Sequence, residues 1–305
     1  MKQTTIITTG VVIVAIAAIY FFTRSPSAPA TVTETPTETA QPSVSPAVTP
    51  SAPLTNGAIS VIGKSVEGRD INAYHYGTGT SEILFIGGIH GGYEWNTVLV
   101  ANKLTDYLKA NPSVIPVNVK VIVIPVLNPD GLNKVVGTAT GNFTAADVST
   151  SKNTVIAGRF NANTVDLNRN FDCDWQENGK WQSTTVSGGT AVFSEPESQA
   201  IKNYITTAKP AAVIVWYSAA GGVYASNCHG GVSAETNALT QTYADASGYP
   251  AYQSFDFYST TGDITNWLAK INIPAVSVIL TDHSNTEWSK NLLGVQALLK
   301  YYGNK

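Results

Sequence analysis

The chain has 305 residues and a formal net charge of −3; 43% of its residues are hydrophobic and only 13% are charged. This composition supplies ample apolar material for one large core and leaves little charge for its surface. Because no long run of like charge occurs, the sequence offers no basic stripe to neutralise phosphates, and we expect no nucleic-acid partner.

The first 55 residues predict a membrane segment followed by a spacer. Residues 1–24 contain an uncharged stretch from 5 to 22, which at about 1.5 Å per residue barely spans a hydrocarbon core of about 30 Å. We favour an uncleaved anchor over a cleaved signal peptide, because the small-residue site at 28–30 is interrupted by Pro29 and lies late. Residues 25–55, rich in Pro, Ser, Thr and Ala, predict an unpacked linker.

Both alternatives carry residues 56–305 out of the cytoplasm, either as a membrane-anchored domain or as a secreted one. Cys173 and Cys228 are the only cysteines. An even pair in an exported chain favours one disulfide over a metal site, with a pair of free thiols as the other alternative. We therefore predict a disulfide between them.

Residues 56–305 alternate short apolar runs with helix-like segments. The runs at 83–86, 119–126, 212–216 and 275–280 lack polar alternation, which predicts strands that are covered on both faces. Helices are predicted at 97–110, 234–247 and 291–302. The alternation predicts a single three-layer α/β domain, in which a mixed, twisted sheet lies between layers of helices.

In such sheets the residues just beyond the carboxyl ends of the strands line the ligand crevice. The polar segments at these places are 87–94, 128–131, 217–218 and 281–283. The first of them holds His90 and Glu94 on a glycine-bearing loop, and both side chains are ligands that zinc accepts. Farther along, Arg169 lies in an asparagine-rich loop, where its guanidinium could grip a carboxylate through two N–H groups. The plain alternatives are chance for the first pair and a surface salt bridge for Arg169.

Four motifs in this order resemble the zinc metallocarboxypeptidases, the funnelins typified by carboxypeptidase A. They are the pair His90 and Glu94, the segment 128–131, the Asp-Leu-Asn-Arg-Asn segment at 166–170, and the segment 258–267. The resemblance covers residues 56–305 and implies the zinc-carboxypeptidase fold with one zinc ion as cofactor. It implies that His90 and Glu94 hold this ion together with a second histidine, and that Asp166 orients His90.

The resemblance also assigns residues to the ligand. Asn168 and Arg169 are similar to the pair that binds the terminal carboxylate of the substrate, and Tyr258 to the tyrosine that closes over it. Arg159 is similar to the arginine that polarises the scissile carbonyl. Asp263 falls in the segment where the family sets its side-chain preference.

Two positions depart from the family pattern. Tyr217 stands where the second histidine ligand is expected, and a phenol with a pKa near 10 is a poor zinc ligand at neutral pH. Ile279 stands where the general-base glutamate is expected, and isoleucine cannot transfer a proton. Because a general base contributes about 10²–10⁴-fold to the rate, we expect absent or severely impaired hydrolysis. His229, His283 and Glu287 are the groups whose loops could bring them to the site as substitutes.

Three functions stay open on this basis. The first is an extracytoplasmic zinc carboxypeptidase that removes C-terminal residues from peptides or cell-wall peptides. The second is a catalytically inactive module that binds the C-termini of peptides or of peptidoglycan peptides. The third is a deacylase of small acylated amino acids, which needs the same zinc and base. We expect a monomer whose partners are such a peptide and, through the anchor, a membrane.

Overall fold

A mixed sheet of eight strands runs through residues 56–305, the part of the chain that this computed structural model describes. The strands of this part are β1 (Ala58–Lys64), β2 (Asp70–Tyr76), β3 (Ser81–Ile86), β4 (Val119–Ile124), β5 (Asn178–Trp181), β6 (Thr184–Ser187), β7 (Ala212–Ser218), β8 (Gly222–Ala225), β9 (Ala251–Tyr252) and β10 (Ala275–Leu280). The large sheet has the order β1-β2-β4-β3-β7-β10-β8-β9, and β5 and β6 form a separate hairpin. The central strands β4, β3, β7 and β10 run parallel, whereas β1/β2, β2/β4 and β10/β8 are antiparallel pairs.

Helices cover both faces of this sheet. They are α1 (Trp95–Ala110), α2 (Pro129–Val136), α3 (Lys152–Ala157), α4 (Pro196–Ala208), α5 (Ala234–Ser247), α6 (Ile264–Lys270) and α7 (Trp288–Gly303). Apolar side chains of α1, α5 and α7 pack in one core cluster, and those of α4 and α6 pack in another. The predicted mixed sheet between helix layers is therefore confirmed.

Side chains along β7 point alternately into the two core clusters, so this strand is covered by helices on both faces. Ile214 and Trp216 belong to the first cluster, while Val213, Val215 and Tyr217 belong to the second. Successive side chains of a strand point to opposite faces, so a strand buried on both sides reads as an unbroken apolar run. The same register places Tyr217 directly beside Ile279 of β10, and both face the layer of α4 and α6.

The central elements lie close to their predicted bounds, but the peripheral strands were not predicted. The runs at 83–86, 119–126, 212–216 and 275–280 correspond to β3, β4, β7 and β10. The strand β1 exposes about half of Ile59 and Val61, so its pattern resembles that of a surface segment. The predicted anchor at 1–24 and linker at 25–55 lie outside the described residues. Within residues 56–305, no helix is both long enough and apolar enough to cross a bilayer.

A glycine turn brings the first two predicted ligands to the end of β3. Gly91 lies between them with a φ of +46°, a conformation that other residues rarely adopt. A Cβ atom there would come within 2.6 Å of the main-chain oxygen of Gly158. The chain can therefore turn between His90 and Glu94 only because this position has no side chain.

The predicted disulfide between Cys173 and Cys228 is present, with the two Cα atoms 6.1 Å apart. It connects the loop that follows Arg169 to the segment that follows β8. Asn227, the neighbour of Cys228, lines the cavity described below, so the covalent link restrains one part of its wall.

Replacing both cysteines by serine is expected to lower the free energy of unfolding. The two positions are 55 residues apart in the chain. In the chain-entropy model, a disulfide that closes a loop of this length stabilises the folded state by about 4 kcal/mol, because it reduces the conformational entropy of the unfolded chain. Urea unfolding of the purified double variant measures the loss, and the wild-type protein under reducing conditions serves as its control. Equal unfolding midpoints in all three samples would contradict this role.

Candidate active site

A cavity of about 720 Å³ opens at the carboxyl ends of β3, β7 and β10. Nine of the residues that the sequence predicts for the site line it together: His90, Glu94, Arg159, Asn168, Arg169, Tyr217, Tyr258, Asp263 and Ile279. Asp166 lies beneath them and is fully buried. The structure thus brings together groups from five separate segments of the chain.

His90 and Glu94 face each other, and three of their four polar side-chain atoms lack a hydrogen-bond partner among residues 56–305. His90 Nδ1 lies 2.9 Å from Glu94 Oε1, and the two residues are only 4% and 2% exposed. Among the described residues, neither ring nitrogen of His90 has a hydrogen-bond partner, and Oε2 of Glu94 has none either. Since buried polar atoms are costly without partners, this pair has the character of a cation site.

A buried ion pair supports the floor of the cavity. Arg159 Nε donates to Asp166 Oδ2 at 2.9 Å, and the two residues are 2% and 0% exposed. Burial alone would raise the pKa of Asp166, but the positive charge of Arg159, followed by His90, outweighs it and holds this pKa well below its usual range. The carboxylate is therefore charged at neutral pH, and its Oδ1 lies 3.3 Å from His90 Nε2.

Two aromatic rings hold the Arg159 guanidinium from the cavity side. Its Cζ atom lies 4.6 Å from the ring centre of Trp181 and 5.7 Å from that of Tyr93. Such cation–π contacts favour a charged, planar group over an aromatic face. Trp181 belongs to the β5–β6 hairpin, which the sequence did not predict, and neither ring was among the predicted site residues.

Tyr217 and Ile279 lie in the cavity side by side, where the family pattern expects a ligand and a base. The Tyr217 hydroxyl donates to Asn168 Oδ1 at 3.2 Å. Burial first, and then the charges of Asp263 and Glu94, raise the pKa of this phenol well above its usual value. Tyr217 is thus a neutral hydrogen-bond donor, and Ile279 offers no polar atom at all.

The predicted carboxylate clamp is built around Arg169, which is 1% exposed. Its Nε and Nη2 donate to the main-chain oxygen of Lys180 at 2.8 and 2.7 Å, and its Nη1 donates to that of Asn168 at 2.6 Å. A guanidinium has five N–H groups, so two are left. The arginine ion pairs within residues 56–305 all belong to Arg69 and Arg159. A surface salt bridge is therefore the wrong interpretation of Arg169.

Asp263 begins α6 and also fixes Asn168. Its Oδ1 accepts from Asn266 N at 2.9 Å and from Thr265 Oγ1 at 2.7 Å, and its Oδ2 accepts from Asn168 Nδ2 at 2.8 Å. The bond from Asn266 N makes Asp263 the N-cap of α6, and Asp263 is also part of the cavity wall. Tyr258 also lines the cavity, with its ring centre 6.0 Å from Arg169 Cζ.

Of the three substitutes that the sequence offered, only His283 lines the cavity. The His229 side chain is 75% exposed and contacts Asp174 at 2.8 Å. Glu287 accepts from Tyr249 Oη and from Thr281 N at 2.9 and 2.7 Å, and it is not part of the lining.

The donor set fits zinc only in part. His90 and Glu94 supply a nitrogen and an oxygen, whereas catalytic zinc sites take three protein ligands. Among residues 56–305, the one group of three His, Cys, Asp or Glu side chains whose ligand atoms lie within 4.8 Å of one another is Cys173, Cys228 and His229. Its cysteines are joined in the disulfide and offer no thiolate. The cavity thus holds two of three zinc ligands and does not complete the site.

A comparison of the sequence with profiles of protein families shows the family of this chain. The sequence profile described as zinc carboxypeptidase matches residues 57–288, which is more than half of the chain. The chain belongs to the zinc carboxypeptidase family. Tyr217 and Ile279 are therefore features of a family member.

Two curated proteins are similar to this member of the zinc carboxypeptidase family in sequence. Gamma-D-glutamyl-L-diamino acid endopeptidase 1 of Lysinibacillus sphaericus is 26% identical over 233 residues, which are 68% of this chain and 57% of that protein. Carboxypeptidase Z of Gallus gallus is 32% identical over 123 residues, which are 36% of this chain and 18% of that protein. The chain thus covers just over half of the first protein and less than a fifth of the second.

Solved structures show the same fold at low identity. Murein-tripeptide amidase MpaA from Escherichia coli O157 has a TM-score of 0.57 and 22% identity, over 79% of this chain and 91% of that one. Carboxypeptidase A from Helicoverpa armigera has a TM-score of 0.62 and 18% identity, over 81% of this chain and 68% of that one. The likeness establishes the fold of residues 56–305 as that of the zinc carboxypeptidases.

Replacing Arg159 by methionine is expected to destabilise the protein strongly. The variant leaves the Asp166 charge buried without its cation, a defect that costs about 3–5 kcal/mol. The matched control is Lys270→Met, which removes a lysine from a half-exposed ion pair with Asp172 and should cost less than about 1 kcal/mol. Urea unfolding compares the two, and equal losses would refute the importance of the buried pair.

Proposed function

We propose that this chain binds peptides by their C-terminal carboxylate and hydrolyses their last peptide bond only slowly. The observation that carries the proposal is the unpaired charge of Arg169. This guanidinium is buried, lines the cavity and has two N–H groups without acceptors among residues 56–305. Because an isolated buried charge is unfavourable, a carboxylate from a ligand is the natural partner, and a planar fork binds it in bidentate fashion.

Slow hydrolysis follows from the residues beside the clamp. A zinc carboxypeptidase needs a complete metal site and a proton acceptor, and here Tyr217 donates a hydrogen bond while Ile279 has no polar atom. Without the third ligand the affinity for the ion should be low. The residues of this chain that would still act on a bound peptide are Arg169 on the carboxylate and Arg159 on the carbonyl, since both are charged and line the cavity.

The ligand we favour is a cell-wall peptide outside the cytoplasm. A solved structure with the same fold and a curated sequence relative carry names that refer to murein tripeptide and to a gamma-D-glutamyl-L-diamino acid, respectively. The predicted anchor and linker, and a disulfide of the kind that persists in oxidising compartments, support an extracytoplasmic location. A protein C-terminus is the alternative, and competition between the two peptides for the cavity distinguishes them.

Binding is tested with one peptide in two forms, with a free C-terminus and with a C-terminal amide. Titration calorimetry should detect the free acid and not the amide. Arg169→Gln should weaken binding of the acid about 10- to 100-fold, because a hydrogen bond to a charged group contributes about 1.5–3 kcal/mol. Lys270→Gln, which removes an equal charge outside the cavity, should bind as the wild type does. Equal affinity for acid and amide would refute the clamp.

Restoring the family residues tests the cause of slow hydrolysis. Tyr217→His combined with Ile279→Glu should increase zinc affinity and raise the peptidase rate by about 10²-fold or more, since the variant regains a ligand and a base. Metal content after dialysis and release of the C-terminal residue are measured separately. A double variant that retains zinc but cleaves no faster than the wild type would show that other defects limit the reaction.

A further inference from the structure

His283 is a partly buried histidine in the loop after β10, and it belongs to the cavity wall. Its Nδ1 lies 2.9 Å from Ser218 Oγ, at the end of β7. Its ring centre lies 4.7 Å from that of Tyr93, whose own ring borders Arg159. The imidazole is thus hydrogen-bonded at one nitrogen and packed against an aromatic ring, and among residues 56–305 its Nε2 has no hydrogen-bond partner.

The loop that carries His283 is fixed by a side chain of α1. Asn96, which is fully buried, donates through Nδ2 to the main-chain oxygens of Asp282 and Asn285 at 2.8 and 3.0 Å. The Asp282 carboxylate accepts from Ser284 N and Asn285 N at 2.6 Å each. The position of His283 is therefore determined by buried contacts and by a tight turn.

These contacts also determine which imidazole nitrogen carries the proton. Because Asn96 Nδ2 donates to two carbonyl oxygens, its Oδ1 must be the atom that faces Ser218 Oγ at 3.1 Å. An amide oxygen only accepts, so the single hydroxyl proton of Ser218 is committed to it. Ser218 must then accept from His283, which places the proton on Nδ1 and a lone pair on Nε2.

The surroundings favour this neutral form. Burial first lowers the pKa of His283, and the nearby charges of Arg159 and His90 lower it further, against the opposing effect of Glu94 and Asp282. Glu94 is the other acceptor in the cavity, but its Oε1 already lies 2.9 Å from His90 Nδ1 and 3.8 Å from Arg159 Nη1. Glu94 Oε2 also lacks a hydrogen-bond partner among residues 56–305, but Glu94 belongs to the pair that would hold a metal ion. His283 Nε2 lies outside that pair and has no hydrogen-bond partner within the same part of the chain.

We propose that His283 Nε2 is the general base of the slow hydrolysis, in place of the carboxylate that Ile279 lacks. The oxygen of a water molecule forms a bond to the carbonyl carbon of the last peptide bond, while one proton of that water moves to Nε2. Arg159 faces the negative charge that develops on the carbonyl oxygen. The C–N bond then breaks, and the proton on Nε2 passes to the departing amine.

This inference rests on the proposed binding of peptide C-termini, but it fails independently of it. Its first test needs no turnover. The chain has four histidines, so ¹⁵N NMR of the labelled protein can assign the tautomer of each. His283 is expected with its proton on Nδ1, and Ser218→Ala should release this preference. A proton on Nε2 in the wild type would overturn the assignment.

The second test separates binding from catalysis. His283→Ala should lower kcat for release of the C-terminal residue by about 10²-fold or more while peptide affinity changes less than about threefold, and added imidazole should restore part of the rate. His229→Ala, the same change in an exposed histidine outside the cavity, should leave both quantities unchanged. Within Ile279→Glu, the His283→Ala change should cost much less, because a second base is then present.

The outcomes distinguish the two proposals. If the free-acid peptide does not bind, the proposed function is wrong whatever His283 does. If the peptide binds but the wild type turns over no faster than His283→Ala, then His283 is not the base and the binding function stands. A loss of affinity equal to the loss of rate in His283→Ala would make His283 a binding residue and would also overturn the inference.

Discussion

The buried pair of Arg159 and Asp166 is the interaction on which the rest of the cavity depends. The Asp166 carboxylate approaches His90 with one oxygen, accepts from the main chain of Asn168 at 3.1 Å with that same oxygen, and binds Arg159 with the other. One charged group therefore positions the His90 ring, the loop that leads to Arg169, and the Arg159 side chain for which we propose a contact to the ligand carbonyl. Its desolvation is offset only while all of these partners stay in place.

The replacement at position 217 changes the clamp as well as the metal site. Asn168 has its Oδ1 occupied by the Tyr217 hydroxyl and by the main-chain N–H of Ile264 at 3.1 Å, and its Nδ2 donates to Asp263. The amide is thus oriented by the protein rather than by a ligand. In the proposed function, recognition of a carboxylate therefore rests mainly on Arg169, whose contacts to main-chain oxygens do not depend on the identity of residue 217.

The sequence predicts those parts of the fold and site that leave a local signal. β3, β4, β7 and β10 were identified because strands buried on both faces read as apolar runs, and the site residues follow their carboxyl ends. β1, β8, β9 and the β5–β6 hairpin were missed, because short or half-exposed strands have no such pattern. The contact of Trp181 with Arg159 was not predicted, because the hairpin that carries Trp181 was not predicted.

Contacts between distant segments left no sequence signal. The tautomer of His283 depends on residues of α1 and β7 that meet only in the folded chain. His229, Glu287 and His283 each lie near motif residues in the sequence, so the sequence does not rank them as substitutes for the missing ligand or base. Their packing in the folded chain distinguishes them.

The attachment of Arg169 to Lys180 has a consequence for the thermodynamics of recognition. A free arginine side chain gives up about 2 kcal/mol of rotamer entropy when it is immobilised, and on a flexible surface this loss falls on the binding step. Here two N–H groups are already anchored on a hairpin carbonyl, so the ordering takes place during folding. A carboxylate that enters the cavity meets a guanidinium whose plane is preset, and association should show a small entropic penalty and a rapid approach to equilibrium.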